Sequence, residues 1–311
     1  MAVKILASTK DMPRENWLKL RKQGLGGSDA GAVCGVNPFS SPMKVFWDKT
    51  SDERDEQDSE AIRIGNDLEQ YVADRFMEAS GLKVRRSNYM YQSVEHPFMI
   101  ADVDRLVVGE DAGLECKTAS AYNADKWRDG AIPLHYVMQC YHYMAVTGKR
   151  TWYIACVILG REFVYRKLVW DDGIINGLIA AEEDFWNRHV VLGIIPSPDG
   201  SKICDEVLKK YFKSAKKENP IKLVGFDEKL SRRAEILREI DELTQEQNRI
   251  DQEIKLFMKD NETAENDSYK VSWSNVDSTR LDTKKLKEEK PDIYNKYART
   301  SSTRRFQVRA A

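Results

Sequence analysis

The residues whose types and spacing could do chemistry lie within residues 98–117, FMIADVDRLVVGEDAGLECK. Asp104 ends one apolar run, and Glu115, Cys116 and Lys117 end another, with ten residues between Asp104 and Glu115. Gly109, Glu110, Asp111 and Gly113 form a turn-rich, hydrophilic break between them. The stretch therefore reads as a β-hairpin that gathers two carboxylates and a lysine. Side chains alternate along a strand, so Glu115 and Lys117 share one face and Cys116 points into the opposite layer. Two acids and an amine on one sheet face are costly unless a metal ion or a charged substrate is bound there. The stretch is accordingly expected to be an active site.

Several elements must position this hairpin. Residues 13–35 suggest a short amphipathic helix with Trp17, Leu18, Leu20 and Arg21. Gly24, Gly26 and Gly27 break it, and Ser28 or Asp29 can cap a following helix. Glycines before a helix start, with an arginine near, make a ready anion site; a plain helix–loop–helix with a capping serine is the alternative. Residues 51–60, SDERDEQDSE, read as an exposed acidic loop without metal-ligand spacing. Over 61–80, Ile64, Leu68, Val72 and Phe76 recur every fourth residue and Gly81 stops the helix. Glu69 lies one position off that line, either as a solvated acid or as one leaning over the edge of the core toward the hairpin. Three β-type runs span 89–94, 98–108 and 114–117. Pro133 and Gly148 frame a helix that is apolar almost all round and therefore buried. Its Gln139 must find partners, and its His142 reads as a satisfied core histidine. Two strands over 151–170 and a helix over 171–191 follow, and prolines at 196 and 198 mark a boundary.

Beyond that boundary the composition changes. Ile236, Ile240, Leu243, Gln247, Ile250, Ile254 and Phe257 step by four and three, the mark of a long amphipathic helix or coiled-coil arm. Residues 269–309 hold eleven Lys and Arg against five Asp and Glu, with Trp273, Tyr294, Tyr297 and Phe306 interleaved. That mixture suits nucleic acid, or else the solvated face of a small appendage. Over the whole chain 49 basic residues nearly balance 50 acidic ones, which argues against coating nucleic acid by bulk charge but leaves room for a local basic groove. The five cysteines are odd in number and lack a CxxC pair, as expected of reduced thiols in a cytoplasmic protein. No apolar run is long enough for a membrane span, and no export signal is expected.

The order helix, three strands, helix, strand, strand, helix, with D-x(10)-E-x-K on the second and third strands, resembles the PD-(D/E)XK nuclease superfamily. Trp17 to Arg21 followed by Gly-Gly-Ser28-Asp29-Ala30, then Gly65-x-x-x-Glu69, Ala101-x-x-Asp104, Leu114-Glu115-Cys116-Lys117 and the Gln139 helix, resemble in order the motifs of the phage λ-type exonucleases, the YqaJ-like viral recombinase family. The likeness spans about residues 13 to 195. One departure stands out: where the family often has Ser-Pro-Asp-Gly, this chain has Asp102-Val103-Asp104-Arg105.

The resemblance implies an α/β fold, a restriction-endonuclease-like core with a mixed central sheet flanked by helices. Residues 1–198 would form the nuclease domain, 199–225 a linker, and 226–311 a C-terminal helical, coiled-coil arm with a small α+β tail. It implies Mg²⁺ or Mn²⁺ held by Asp104, Glu115 and the Cys116 backbone carbonyl, with Glu69 and Asp102 as further candidates. Asp102 is expected on the same strand face as Asp104. Lys117 would position or deprotonate the attacking water or stabilise the phosphorus centre, and Glu69 would hold metal-associated water. Arg21, Ser28 and Gln139 would hold the DNA 5′-phosphate. The implied activity is 5′→3′ digestion of linear double-stranded DNA to 3′ single-stranded tails. The implied setting is a phage-encoded homo-oligomer, a trimeric ring, in the bacterial cytoplasm, with a single-strand annealing protein as partner. An endonuclease on the same core (restriction-like, or Cas4-like without its iron–sulfur cluster) and a non-catalytic recombination scaffold are the competing readings.

Overall fold

The structure, a computed structural model, describes residues 2–52, 59–214, 221–301 and 304–309. The core of the acidic run 51–60 thus falls outside the described residues. The chain divides into two units, residues 1–212 and 213–311. In chain order the first holds β1 (Val3–Ser8), α1 (Arg14–Arg21), α2 (Gly27–Val33), α3 (Pro42–Thr50), α4 (Glu60–Ser80), β2 (Val84–Arg86), β3 (Tyr89–Ser93), β4 (Ile100–Asp102), β5 (Arg105–Val107), β6 (Ala112–Ala119), α5 (Leu134–Thr147), β7 (Thr151–Ile158), β8 (Glu162–Val169), α6 (Asp172–Phe185) and α7 (Lys202–Tyr211). The second holds α8 (Asp227–Met258), β9 (Thr263–Glu265), β10 (Lys270–Ser272), α9 (Thr283–Glu289) and α10 (Pro291–Tyr297).

The central sheet has the order β2-β5-β6-β7-β8, with β6 and β7 parallel and the other neighbours antiparallel. This is the mixed sheet flanked by helices that the sequence pattern leads one to expect. The parallel pair needs a crossover, and α5 supplies it. Pro133 starts α5, and Gly148 ends it at φ 72°, a left-handed turn that glycine adopts without a Cβ penalty. On one sheet face α4 packs Val72, Ala73 and Phe76 against Leu114, Tyr153 and Ala155. On the other, Cys140, Tyr143 and Met144 of α5 pack against Trp152, Ile154 and Cys156 of β7. Each large side chain buried in these layers contributes about 1.5–3 kcal/mol by removal from water.

Four features differ from expectation. The strand β1 was unforeseen, because its short apolar run, VKILAS, does not by itself tell strand from helix; it is set by pairing with β3. The short strand β2 was likewise missed, and pairs with β5. The expected continuous run 98–108 is two strands: β4 pairs with β3 in a separate three-stranded sheet, and β5 enters the central sheet. The expected linker 199–225 contains α7, capped by Ser201 and packed through Cys204 and Val207 onto Met43 of α3. Among the described residues no helix is long and apolar enough to cross a membrane.

The second unit is built on α8, 32 residues long. Ile240, Leu243, Ile250 and Phe257 of its heptad seam are all exposed. The two short strands β9 and β10 pair antiparallel.

Candidate functional site: an acidic and a basic corner

The break between β4 and β5 builds the acidic corner. The chain changes sheets at Val103 and Asp104, so the Asp104 carboxylate turns toward β6 and its Oδ2 accepts from the Cys116 backbone N–H at 2.8 Å. The N–H and C=O of one strand residue face the same neighbour. The Cys116 carbonyl therefore also faces the Asp104 side, where β5 pairing has ended after Arg105↔Leu114. Alternation along β6 holds as expected. Cys116 packs with the α4 layer, while Glu115 and Lys117 turn toward α5.

There Glu115 is buried. Its Oε1 accepts from Gln139 Nε2 at 2.6 Å and pairs with Lys117 Nζ at 2.6 Å. Its Oε2 is buried with no hydrogen-bond partner. Gln139 donates from the same nitrogen to the Tyr143 hydroxyl at 2.8 Å, and Lys117 lies 4.8 Å from the centre of the Tyr136 ring.

The electrostatics follow from this crowding. Burial and the neighbouring Glu115 push Asp104 well above the ordinary carboxylate range. Burial raises Glu115 too, against the pull of Lys117. Burial opposes charge on Lys117, but Glu115 and Asp104 outweigh it and hold its ammonium above the usual range. Lys117, drawn toward its charged form by these acids, is well placed to offset negative charge beside them.

Does the corner fit a metal ion? Among the described residues no group of three or more His, Cys, Asp and Glu side chains forms a ready cage. Yet the donors are hard oxygens, the kind Mg²⁺ and Mn²⁺ take. The two acids outnumber their lysine, and Glu115 Oε2 is an orphaned buried acceptor. Those residues fit a divalent cation.

Glu69 is placed differently. Its helix α4 covers the Cys116 face of the sheet, not the face of Glu115 and Lys117. The side chain leans over the sheet edge, as one of its two readings has it, and is gripped there by the buried Arg105. The Arg105 guanidinium also donates to the Asp104 carbonyl at 2.9 Å and to Gln70 Oε1 at 3.1 Å. Asp102 does not share a strand face with Asp104, because the strand ends between them. Its Oδ2 accepts from Trp17 Nε1 at 2.6 Å.

The basic corner is assembled by α1, α2 and α3. Arg21 donates to Ser28 Oγ at 2.9 Å and to Asp29 Oδ1 and Oδ2 at 3.2 and 3.3 Å. Lys49, nearly fully buried, pairs with Asp29 Oδ2 at 2.8 Å and donates to the Arg21 carbonyl at 2.8 Å. Burial opposes the charge of Asp29, but Lys49 and Arg21 hold it well below the usual carboxylate range. The Asp29 side chain also accepts from the Gly26 N–H at 2.8 Å, so the first turn of α2 is capped from within the chain.

Gly27 joins the two corners. A Cβ there would sit 2.5 Å from Tyr143 Cε1 and 3.0 Å from Gln139 Cγ, so only glycine lets α2 lie this close to α5. The structure thus brings Arg21 and Ser28 together, with Gln139 across Gly27. Gln139 donates to the acidic corner, a contact that sequence reasoning did not foresee.

Sequence reasoning also missed Lys49, Arg105, Tyr136 and Tyr143 beside the site. Arg105 had a usable signal, since a cation opening the apolar strand β5 needs a partner; Lys49 had none, being one of three charged residues in α3. The aromatic pair had none, because core aromatics are common. His142 is the satisfied core histidine expected. Its Nδ1 lies 2.8 Å from Glu182 Oε1 and its Nε2 2.8 Å from the Ile100 carbonyl, which ties β4 to α5 and α6.

Residues 16–150 match a model of the YqaJ-like viral recombinase domain. The uncharacterized protein YqaJ of Bacillus subtilis strain 168 is 39% identical over 309 residues, covering 98% of this chain and 97% of its own. The crystal structure of LHK-Exo in complex with dAMP aligns at TM-score 0.51 and 17% identity, over 65% of this chain and 100% of that one. A crystal structure of the alkaline exonuclease LHK-Exo from Laribacter hongkongensis aligns at TM-score 0.48 and 16% identity, again over 65% and 100%. At such identities the likeness to LHK-Exo is one of fold.

Proposed function

The chain belongs to the YqaJ-like viral recombinase family, and from that premise we propose that it is a divalent-metal-dependent 5′→3′ exonuclease on linear double-stranded DNA. Its product is a 3′ single-stranded tail for recombination by annealing. The observation that carries this reading is the pairing of two unbalanced buried corners. Asp104 and Glu115 outnumber Lys117 and leave Glu115 Oε2 unpartnered. Arg21 and Lys49 outnumber Asp29. The first corner leaves a buried acceptor unpartnered and the second gathers two cations around Asp29, features that a metal ion and a DNA phosphate would suit.

Asp104, Glu115 and the Cys116 carbonyl would hold Mg²⁺ or Mn²⁺. A divalent cation there supplies Lewis-acid charge, which makes water more acidic and offsets negative charge on the phosphate under attack. The chain's own residues do the rest. Lys117, held as a cation, offsets charge at the reacting phosphate. Gln139 orients Glu115 through Oε1. Arg105 keeps Glu69 at the sheet edge, within reach of water near the acids. Arg21 and Ser28 would take the 5′-terminal phosphate, for which a guanidinium fork is well shaped, with Gln139 closing the pocket from α5.

Family membership supports the remaining parts of the reading. These are a phage-encoded homo-oligomer forming a trimeric ring, a single-strand annealing protein that receives the tail, and action in the bacterial cytoplasm. Residues 1–198 would carry the nuclease. The exposed seam and basic residues of 226–311 would contact DNA, the partner or a neighbouring subunit.

The test is product analysis on 5′-labelled linear duplex with Mg²⁺, beside closed circular DNA. Label should leave as mononucleotide from the first turnover, and circles should stay intact. Cutting of circles would replace the reading with an endonuclease, and inertness on both substrates with a scaffold.

A further inference from the structure

Asp102 is the acid that the metal reading does not need. It lines one cleft with Asp104 and Glu69, so proximity alone would make it a ligand. Its bonding points elsewhere. An indole N–H can only donate, and that of Trp17 is spent on Asp102 Oδ2 at 2.6 Å. Four residues on along α1, and so on the same helix face, Arg21 carries its guanidinium 5.4 Å from the centre of the Trp17 ring. The same guanidinium reaches Ser28 and Asp29. It also lies so close to Gly26 that a Cβ there would be 2.5 Å from Nη1.

The helix that carries this pair is weak by itself. It has eight residues, none of them buried and no side-chain cap at its start. A helix so short does not persist in water on its own hydrogen bonds. Something must hold its Trp17–Arg21 face against the core, and the charge-assisted bond from β4 is well suited to do so. The strand β4 is itself fixed, by pairing with β3 and by His142 at the Ile100 carbonyl.

We infer that Asp102 is a positioning residue rather than a metal ligand: through Trp17 it sets Arg21, and so couples the strand leading into the acidic corner to the phosphate-binding cation of the basic corner. This rests on the reading of Arg21 as the terminal-phosphate residue, and it assigns Asp102 and Trp17 a role in selecting DNA ends. A displacement of about 1 Å at such a contact is enough to matter.

The test uses the full-length protein with Asp102→Ala, Asp102→Asn, Trp17→Phe and Arg21→Ala. Glu115→Gln serves as the metal-site control. Mn²⁺ affinity is measured by calorimetry without DNA. Binding of short duplexes with 5′-phosphate or 5′-hydroxyl ends is measured by anisotropy in EDTA, where no hydrolysis occurs. Asp102→Ala and Trp17→Phe should each cut the preference for the phosphorylated end by about tenfold, the scale of one charge-assisted hydrogen bond. Asp102→Asn, which keeps an acceptor for the indole, should retain most of it. Mn²⁺ affinity should stay within about twofold in all four variants and fall only in Glu115→Gln.

Loss of Mn²⁺ affinity in Asp102→Ala and Asp102→Asn, with Trp17→Phe unaffected, would make Asp102 a ligand and overturn the proposal. So would a wild-type end preference in Asp102→Ala. If the wild type itself ignores the end phosphate, the Asp102→Ala, Arg21→Ala double-mutant cycle on total duplex affinity decides. Non-additive losses uphold the relay while the end-phosphate reading falls; additive losses remove both.

Discussion

The acidic and basic corners follow one plan with opposite sign. At one, Asp104 and Glu115 gather beside Lys117; at the other, Arg21 and Lys49 converge on Asp29. The buried pair of His142 and Glu182 is the reference for both, since there one cation meets one anion and the Ile100 carbonyl takes the remaining N–H. The matched pair is complete and serves the fold. The acidic corner instead leaves Glu115 Oε2 without a partner among the described residues, and a buried group left so costs stability unless a ligand joins it. A buried acceptor left unpartnered, beside a pair that is fully matched, is the physical contrast on which the proposed site rests.

The largest effect should come from the acidic corner. Glu115→Ala and Lys117→Ala should each lower the rate on linear duplex by about 10³-fold, with the fold retained by circular dichroism. Full activity in both would break the comparison. As a companion measure, Mn²⁺ should raise the melting temperature of the wild type and of Glu182→Gln but not of Glu115→Gln.

The matched pair should show itself in stability. Removing one partner, as in His142→Ala, should cost about 3–5 kcal/mol by urea denaturation. Its pH dependence has a definite sign. Burial opposes charge on His142, but the Glu182 carboxylate and the Ile100 carbonyl prevail and hold the imidazolium above the usual histidine value. Below pH about 6.5 the unfolded chain also carries that proton, and the stabilisation is complete. As pH rises past that point the unfolded state releases the proton first, and stability declines until the folded imidazole has released it too. His142→Gln should flatten this decline above pH about 6.5; an unchanged slope would show that the pair does not control it.

At the basic corner, Arg21→Ala should reduce the preference for a 5′-phosphorylated end by about 10- to 100-fold, the range of a hydrogen bond to a charged group. Equal sensitivity of wild type and variant to removal of the phosphate would sever the corner from DNA ends. The mildest change is Gly27→Ala, whose methyl would press on Tyr143 and Gln139. It should cost about 1–3 kcal/mol in stability. If the close approach also orients Gln139 on Glu115, Mn²⁺ affinity should fall with it.

Local chemistry made much of this legible. Glycine and proline marked both ends of α5, four-residue spacing marked α4, and alternation placed Glu115 and Lys117 together on β6. Less legible was whatever depended on partners distant in the chain. The strand β1 has no pattern of its own and needs β3. The run 98–108 carries Asp102, Asp104 and Arg105 but no glycine or proline, so nothing in it marks the point where it leaves one sheet for another.

By itself the sequence placed Glu115 and Lys117 on one face of β6 and spelled out the opening motif, because these rest on residue type and on the period of side chains within single elements. Only the tertiary structure decided how the charges are matched. Asp102 faces Trp17 from 85 residues away, and Glu69 meets Arg105 from 36. Lys49 completes the Arg21–Asp29 corner from α3, and Gln139 donates to Glu115 across the layer. Such pairings are set when the packing of helices and sheets chooses neighbours, and no local period carries that information.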